Sequence, residues 1–126
     1  MKKKDILNRE DVEIIVNNFY DKVMKDDLIG LMFDHVDWTK HLPLMYDFWD
    51  NVLFYSGNYT GNPMAKHMMA HARNPMKSAH FDKWLLLFFE TVDEGYSGDN
   101  ASLIKEKAKS IATIMQIKLF GSSDEF

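Results

Sequence analysis

Apolar residues recur at every third or fourth position through most of this chain, and this spacing constrains the fold more than any other feature. The spacing is typical of amphipathic helices, and no stretch shows the strict alternation of a half-buried strand. Asn8 can cap the first helix, with Glu10 and Asp11 in its first turn. Its apolar stripe, which ends before Asp26, consists of Val12, Ile15, Val16, Phe19 and Val23.

A second long helix follows a short piece at residues 28–35. Asp37 or Thr39 can cap it, and Pro43 lies in or just past its first turn, where a missing N–H costs little. Its apolar face contains two tryptophans and a histidine among aliphatic residues: Trp38, His41, Leu42, Met45, Phe48, Trp49, Val52 and Leu53.

Glycine and proline separate the remaining helices. Residues 57–63 form a break, and Pro63 suits the first turn of a helix that ends at Asn74 and carries Met64, His67, Met68 and His71 on one face. Ser78 can cap the next helix, whose face is Phe81, Trp84, Leu85, Phe88 and Val92. Asn100 can start the last one, whose face is Leu103, Lys107, Ile111, Ile114, Met115 and Leu119. The sequence therefore predicts an all-α protein of five or six helices.

The size and composition of the chain indicate one domain. Its 126 residues, 46% hydrophobic and 27% charged, suffice for one core, so we expect a single domain over residues 1–126 with an ordered part at about 8–120. The longest apolar run, at 84–89, is too short for a membrane span, and no apolar leader follows the basic N-terminus. A net charge of −4 disfavours nucleic acid as a partner. We expect a cytoplasmic protein without membrane or nucleic-acid partners, as a monomer or weak dimer.

Few residue types in this chain can carry chemistry. Cysteine is absent, which excludes thiolate metal sites and cysteine nucleophiles. No glycine-rich phosphate loop and no nucleophile elbow is present. The Asp and Glu residues look scattered over exposed faces, without an acid–base pair. Histidines and aromatic side chains remain as candidates for a functional site.

Three histidines, His41, His67 and His71, lie on the predicted apolar faces. A buried imidazole must be hydrogen-bonded or ligate a metal, because an unpaired buried polar group costs about 1–3 kcal/mol. Each one alone is more simply explained as a satisfied core histidine, and a Met stripe is more often packing than a cofactor site. Together, among nine Met, nine Phe and three Trp, they favour a large apolar ligand with a metal centre, such as a haem.

His67 and His71 also form an HxxxH pair that could hold zinc. Position 68 is Met, where a metalloprotease signature has Glu, and a third ligand would have to come from His80 or a carboxylate. A helical zinc-binding or interaction module without haem is the alternative from another class.

Several segments, taken in order, resemble the group III truncated haemoglobins of bacteria. The most specific are residues 59–67, YTGNPMAKH, and residues 80–85, HFDKWL; residues 19–20, 28–33, 37–41 and 48–49 also match. The resemblance covers about residues 8–120. It implies a truncated globin-like fold, a two-on-two helical sandwich around one haem b (iron protoporphyrin IX).

The resemblance also assigns roles to individual residues. His67 matches the proximal ligand of a five-coordinate haem iron, with His71, one turn later, as runner-up. Tyr20, His41 and Trp84 match the distal polar residues that contact a bound ligand. The haem pocket would be lined by Phe33, Trp38, Met45, Phe48, Met64 and Phe81. Nearby candidates for holding the haem propionates are Lys40, Lys66 and Arg73.

The function that the resemblance implies is the binding of dioxygen or another diatomic ligand. Several distal hydrogen-bond donors would hold oxygen tightly and slow its release. Nitric oxide, carbon monoxide, cyanide and peroxide are further expected ligands. The alternative is a haem-dependent oxidoreductase that acts as a peroxidase or removes nitric oxide and reactive species. We expect such an enzyme to need an external reductase.

Overall fold

Four α-helices and one 3₁₀ helix make up the part of the chain that the structure, a computed structural model, describes: residues 3–34, 36–57 and 76–120. They are α1 (Arg9–Lys25), the 3₁₀ helix (Gly30–Phe33), α2 (Trp38–Phe54), α3 (Ser78–Gly95) and α4 (Asp99–Phe120). The all-α prediction is confirmed. The helix predicted from Pro63 lies outside the described residues.

Helix α1 begins where the sequence predicted. The side chain of Asn8 accepts a hydrogen bond from the Asp11 N–H at 3.1 Å, so Asn8 is the cap. All five residues of the predicted stripe are at most 1% exposed: Val12, Ile15, Val16, Phe19 and Val23. Helix α1 therefore buries the stripe that its periodicity indicated.

Helix α2 is capped by Asp37, whose carboxylate accepts a hydrogen bond from the Thr39 N–H at 3.1 Å. Pro43 lies past the first turn, and its missing N–H deprives the carbonyl of Thr39 of a helical donor. Pro43 is exposed, whereas every residue of the predicted apolar face is at least partly buried. The helix ends where Tyr55 adopts the left-handed conformation at φ 55°.

Helix α3 begins at Ser78, but Lys77 rather than Ser78 occupies the cap position. The Nδ1 atom of His80 accepts a hydrogen bond from the Lys77 N–H at 2.8 Å. His80 therefore accepts a hydrogen bond from the backbone of the cap residue, and Ser78, which we expected as the cap, is the first residue of the helix.

The core face predicted for α4 is correct only in part: Met115 is buried and Leu103, Ile111 and Leu119 pack partly buried against the core, but the centre of the buried face lies elsewhere. The residues that α4 buries are mostly small: Ala101, Ile104, Ala108, Ala112 and Met115. Lys107 and Ile114, which the predicted stripe included, are exposed. Alanines let two helix backbones approach closely, so α4 packs through them although they mark no strong hydrophobic stripe.

The four helices form two layers of two. Helix α1 packs on α2 and α3 packs on α4, and the two pairs meet through contacts of α1 with α3 and of α2 with α4. Phe88 of α3 lies at the centre, with ring centroids 5.2 Å from Phe19 of α1 and 4.9 Å from Trp49 of α2. This is the expected two-on-two arrangement. None of the described helices combines the length and apolar character that crossing a bilayer needs.

The segment before α1 is fastened to the start of α4. The carboxylate of Asp5 accepts hydrogen bonds from the N–H groups of Asn100 and Ala101, each at 2.9 Å, and so caps α4. The backbones of Lys4 and Tyr96 form an isolated parallel β-bridge. Two residues after Tyr96, Gly98 has φ 139°, a conformation that favours glycine. We call Lys4, Asp5, Asp11 and Tyr96 the N-terminal clamp; its first two residues precede the expected ordered range.

Candidate functional site

Four of the predicted site residues meet where α1, the 3₁₀ helix and the start of α2 converge. The ring of Tyr20 lies 5.2 Å from that of Trp38, 5.4 Å from that of His41 and 5.9 Å from that of Phe33, measured between centroids. Tyr20 is 5% exposed. We call these four residues the Tyr20 cluster.

The Tyr20 cluster buries two polar groups among aromatic rings. Burial raises the pKa of the Tyr20 hydroxyl well above its ordinary value of 10.0, so the hydroxyl keeps its proton at neutral pH. The Nε2 atom of His41 is buried as well. A protonated phenol donates a hydrogen bond, and an imidazole nitrogen can donate or accept one. The cluster therefore combines a hydrogen-bond donor with a group that can donate or accept.

Trp84 approaches the Tyr20 cluster from α3. Its ring is 5.6 Å from that of Phe19, at 88°, and Phe19 in turn contacts Tyr20 at 4.9 Å. The neighbouring Lys83 pairs with Asp26 at 3.3 Å, which ties α3 to the end of α1. Trp84 is thus joined to the cluster through Phe19.

The other predicted pocket residues are divided between two places. Met45 and Phe48 of α2 are partly buried against the main core. Phe81 belongs to a smaller apolar cluster with Ala112 and Met115, between α3 and α4, and Trp84 packs against both clusters. Phe81 is not among the residues gathered around Tyr20. The remaining candidates lie outside the described residues: Met64, Lys66, His67, His71 and Arg73.

A groove of about 430 Å³ lies between α2 and α4, a size within the range of small-molecule sites. Most of its lining is apolar: Phe48, Asn51, Val52, Tyr55, Lys107, Ile111, Ile114 and Met115. Four residues of the stripe predicted as the core face of α4 therefore form a wall of this groove. A second groove, of about 580 Å³, is lined in part by Phe33 and Trp38. The mostly apolar wall of the first groove suits a largely apolar ligand, whereas charged residues, among them Lys25, Asp26 and Asp27, also line the second.

The described residues contain no group of three or more His, Asp or Glu side chains that could hold a metal ion. His80, the suggested third zinc ligand, engages its Nδ1 atom in the cap of α3. The His67–His71 pair of the zinc alternative lies outside the described residues, so that alternative stays a prediction.

The expectation that Asp and Glu all lie on exposed faces is wrong for Asp11 and Asp50, which are 2% and 6% exposed. The carboxylate of Asp11 lies 2.8 Å from the Lys4 ammonium and accepts hydrogen bonds from the Leu7 N–H at 2.9 Å and the Tyr96 hydroxyl at 3.0 Å. A signal existed in the sequence, because Asp11 is four residues before Ile15 and so shares its helical face.

Burial alone would raise the pKa of the Asp11 carboxyl. The hydrogen bonds from Lys4, Leu7 and Tyr96 and the charge of Lys4 outweigh this effect and hold that pKa below its usual value of 3.8. Asp11 is therefore a structural carboxylate that is ionised at neutral pH.

Comparison with known proteins places this arrangement in a family. The model of the family "Bacterial-like globin" matches residues 5–118. This chain is a bacterial-like globin. It is 29% identical over 124 residues to the group 3 truncated haemoglobin ctb of Campylobacter jejuni. The alignment covers 94% of this globin and 95% of that protein.

Comparison with solved structures supports the same family assignment. The crystal structure of the group III truncated haemoglobin from Campylobacter jejuni matches this globin with a TM-score of 0.83 and 30% identity, over 94% of this chain and 95% of that one. THB1 of Chlamydomonas reinhardtii matches with a TM-score of 0.70 at 24% identity, over 85% and 88%, and shows the fold. The resemblance to group III truncated haemoglobins and the truncated globin fold are thereby confirmed.

Membership of the globin family implies a haem cofactor and a small diatomic ligand such as oxygen. The described residues fit such a cofactor. Partly buried aromatic side chains, among them Phe33, Trp38 and Phe48, offer flat apolar contacts. The groove between α2 and α4 adds a largely apolar wall.

Proposed function

We propose that this globin binds dioxygen, or another diatomic ligand, at a five-coordinate haem b whose proximal ligand is His67. The observation that carries the proposal is the Tyr20 cluster, in which the ring of a buried, protonated tyrosine lies 5.4 Å, between centroids, from an imidazole whose Nε2 atom is buried. Such a pair suits a small ligand that carries partial negative charge. The haem itself is inferred from the family.

Residues of three elements would hold the haem. Phe33 of the 3₁₀ helix and Phe48 of α2 would pack on the porphyrin, together with Trp38, Met45, Met64 and Phe81. Lys40, an exposed residue in the first turn of α2, is a candidate partner for a propionate. When bound, the haem supplies an iron atom at which a diatomic molecule can bind.

The side chains of the Tyr20 cluster would then retain that ligand. The hydroxyl of Tyr20 donates a hydrogen bond to a partly negative atom, and His41 can donate a second one from Nε2. The resemblance to the family assigns Trp84 of α3 as a third donor, which would use its indole N–H. Hydrogen bonds are stronger in a low-dielectric site than in water, so the ligand leaves slowly.

The proposal is tested by adding haem to the purified chain and to His67→Ala, with His71→Ala as the matched control. The wild type and His71→Ala should show a Soret band and the ferrous spectrum of a five-coordinate histidine complex, and His67→Ala should lose that spectrum. Loss in His71→Ala and retention in His67→Ala would move the ligand to His71. A wild-type chain that takes up no haem would refute the proposal.

An enzymatic use of the same site is the second candidate, because donors that stabilise bound oxygen also polarise an O–O bond. A haem-dependent oxidoreductase would reduce peroxide or consume nitric oxide with electrons from an external donor. Stopped-flow oxygen dissociation and a peroxide turnover assay separate the two candidates. Fast oxygen release without turnover would exclude the enzyme.

A further inference from the structure

Trp38 contacts every other member of the Tyr20 cluster. Its indole lies 5.2 Å from the ring of Tyr20 and 5.4 Å from the imidazole of His41. It also stacks on Phe33 at 6.0 Å, with 24° between the ring planes. The two polar side chains of the cluster, which come from different helices, therefore share this indole as a neighbour.

The backbone around Trp38 is fixed by the cap of α2. The carbonyl of Asp37 accepts a hydrogen bond from the His41 N–H at 2.9 Å, while the Asp37 side chain holds the Thr39 N–H. Trp38 and His41 are three residues apart, so their side chains share one face of the helix. The indole and the imidazole are thus placed relative to each other by the first turn of α2.

The indole restricts how the two polar side chains can turn. His41 meets Trp38 at an interplanar angle of 81° and Tyr20 at 82°, the edge-to-face arrangement that aromatic rings prefer. Tyr20 is also bounded by Phe33 and by Phe19. A large rotation of either ring would break a contact with Trp38.

We propose that Trp38 is a positioning residue, which keeps the Tyr20 hydroxyl and the His41 imidazole turned toward the same ligand. This inference rests on the proposed function, and it goes beyond the role of Trp38 as a wall of the haem pocket. Phenylalanine at position 38 would preserve much of the ring contact, whereas leucine would remove it.

The kinetic test compares Trp38→Leu with Trp38→Phe in the haem-loaded protein. Trp38→Leu should raise the oxygen dissociation rate about three- to tenfold, the change expected when one hydrogen bond is misaligned, with the association rate nearly unchanged. Trp38→Phe should restore most of the wild-type rate. Tyr46→Phe is the matched control: it removes the 2.5 Å hydrogen bond from Tyr46 to Asn17, which also joins α2 to α1, but leaves the cluster intact.

A double-mutant cycle shows whether Trp38 acts through Tyr20. In a Tyr20→Phe background, Trp38→Leu should change the dissociation rate by less than in the wild type, because its partner is already lost. The inference would be overturned if the effects of Trp38→Leu and Tyr20→Phe on the dissociation rate were fully additive in the double variant. Equal increases in the association and dissociation rates would also overturn it, since they would indicate a barrier to ligand access.

A second readout needs no haem. In the full chain, a nuclear Overhauser contact between the rings of Tyr20 and His41 should be present in the wild type, Trp38→Phe and Tyr46→Phe, and weakened in Trp38→Leu. An unchanged contact in Trp38→Leu would refute the positioning role. A chain that keeps this pattern but takes up no haem would refute only the proposed function.

Discussion

Helix α1 buries a polar side chain near each of its ends, and the surroundings of the two differ. Asp11 of the N-terminal clamp is 2% exposed and is surrounded by hydrogen-bond donors, from Lys4, Leu7 and Tyr96. Tyr20, two and a half turns later, is 5% exposed and is surrounded by the rings of Phe33, Trp38 and His41.

The pKa values express this difference. Burial disfavours the charged form at both places, but in the clamp the hydrogen bonds outweigh it and lower the pKa of Asp11. At Tyr20, burial acts alone and raises the pKa. The clamp thus uses its polar groups to join distant segments of the chain, whereas the Tyr20 cluster keeps a neutral donor for a ligand. Changes in the clamp should therefore affect stability, and changes in the cluster should affect ligand kinetics.

The largest effect on stability is expected for Asp11→Ala. The substitution leaves the buried Tyr96 hydroxyl and the partly buried Leu7 N–H without their acceptor and should lower the free energy of unfolding by about 1–3 kcal/mol, measured by urea denaturation. Oxygen dissociation should not change. Glu13→Ala, which breaks the half-exposed pair with Arg9 on the same helix, is the control and should cost less than about 1 kcal/mol. An equally small loss in Asp11→Ala would show that the N-terminal clamp does not stabilise the fold through Asp11.

The next largest effect is expected in ligand kinetics, for Tyr20→Phe. Removing the hydroxyl should raise the oxygen dissociation rate about tenfold or more, as expected for one strong hydrogen bond, and change the free energy of unfolding by less than about 1 kcal/mol. Tyr96→Phe is the reciprocal control, because its hydroxyl donates to Asp11 in the clamp. It should lower stability and leave the dissociation rate unchanged. The opposite pattern would show that the two regions do not differ in role.

A smaller effect is expected for Asp5→Ala, which removes the cap of α4. Loss of an N-terminal cap costs about 1 kcal/mol, and here two N–H groups, of Asn100 and Ala101, lose their acceptor. Asp5→Asn keeps an acceptor oxygen for only one side of the cap and should fall between Asp5→Ala and the wild type. Thermal unfolding of both variants checks this prediction, and equal melting temperatures for Asp5→Ala and the wild type would contradict it.

The smallest effect is a dependence on pH. Because the folded pKa of Asp11 is below its usual value of 3.8, its contribution to stability is complete above that value and is lost as the pH falls through the folded pKa. Asp11→Asn should therefore flatten the acid limb of the stability curve below about pH 4, by about 1 kcal/mol per pH unit or less. Urea titrations at several pH values measure it, and identical acid limbs would refute a lowered pKa.

The Tyr20 cluster shows how much of the candidate site could be predicted from the sequence. Tyr20, His41 and Phe33 were assigned by resemblance to a family, and the structure brings them together with Trp38. Spacing along the chain could not have shown that these residues lie together, because they come from three separate elements. For the same reason it could not show that Phe81 belongs to a different apolar cluster.

Helices α1 and α4 differ in how much of their buried faces could be predicted from the sequence. The local sequence was enough to predict α1, its cap at Asn8 and its buried face, because capping and helical periodicity depend on residues within a few turns. The burial of Ala101, Ala108 and Ala112 in α4 depends on tertiary packing, since alanines become core residues through the close approach of another helix. The position of Asp11 on the buried face of α1 was visible in the sequence, but its partner Tyr96, 85 residues away, is brought to it only by the fold. A buried carboxylate needs such partners, and the chain supplies them only by folding.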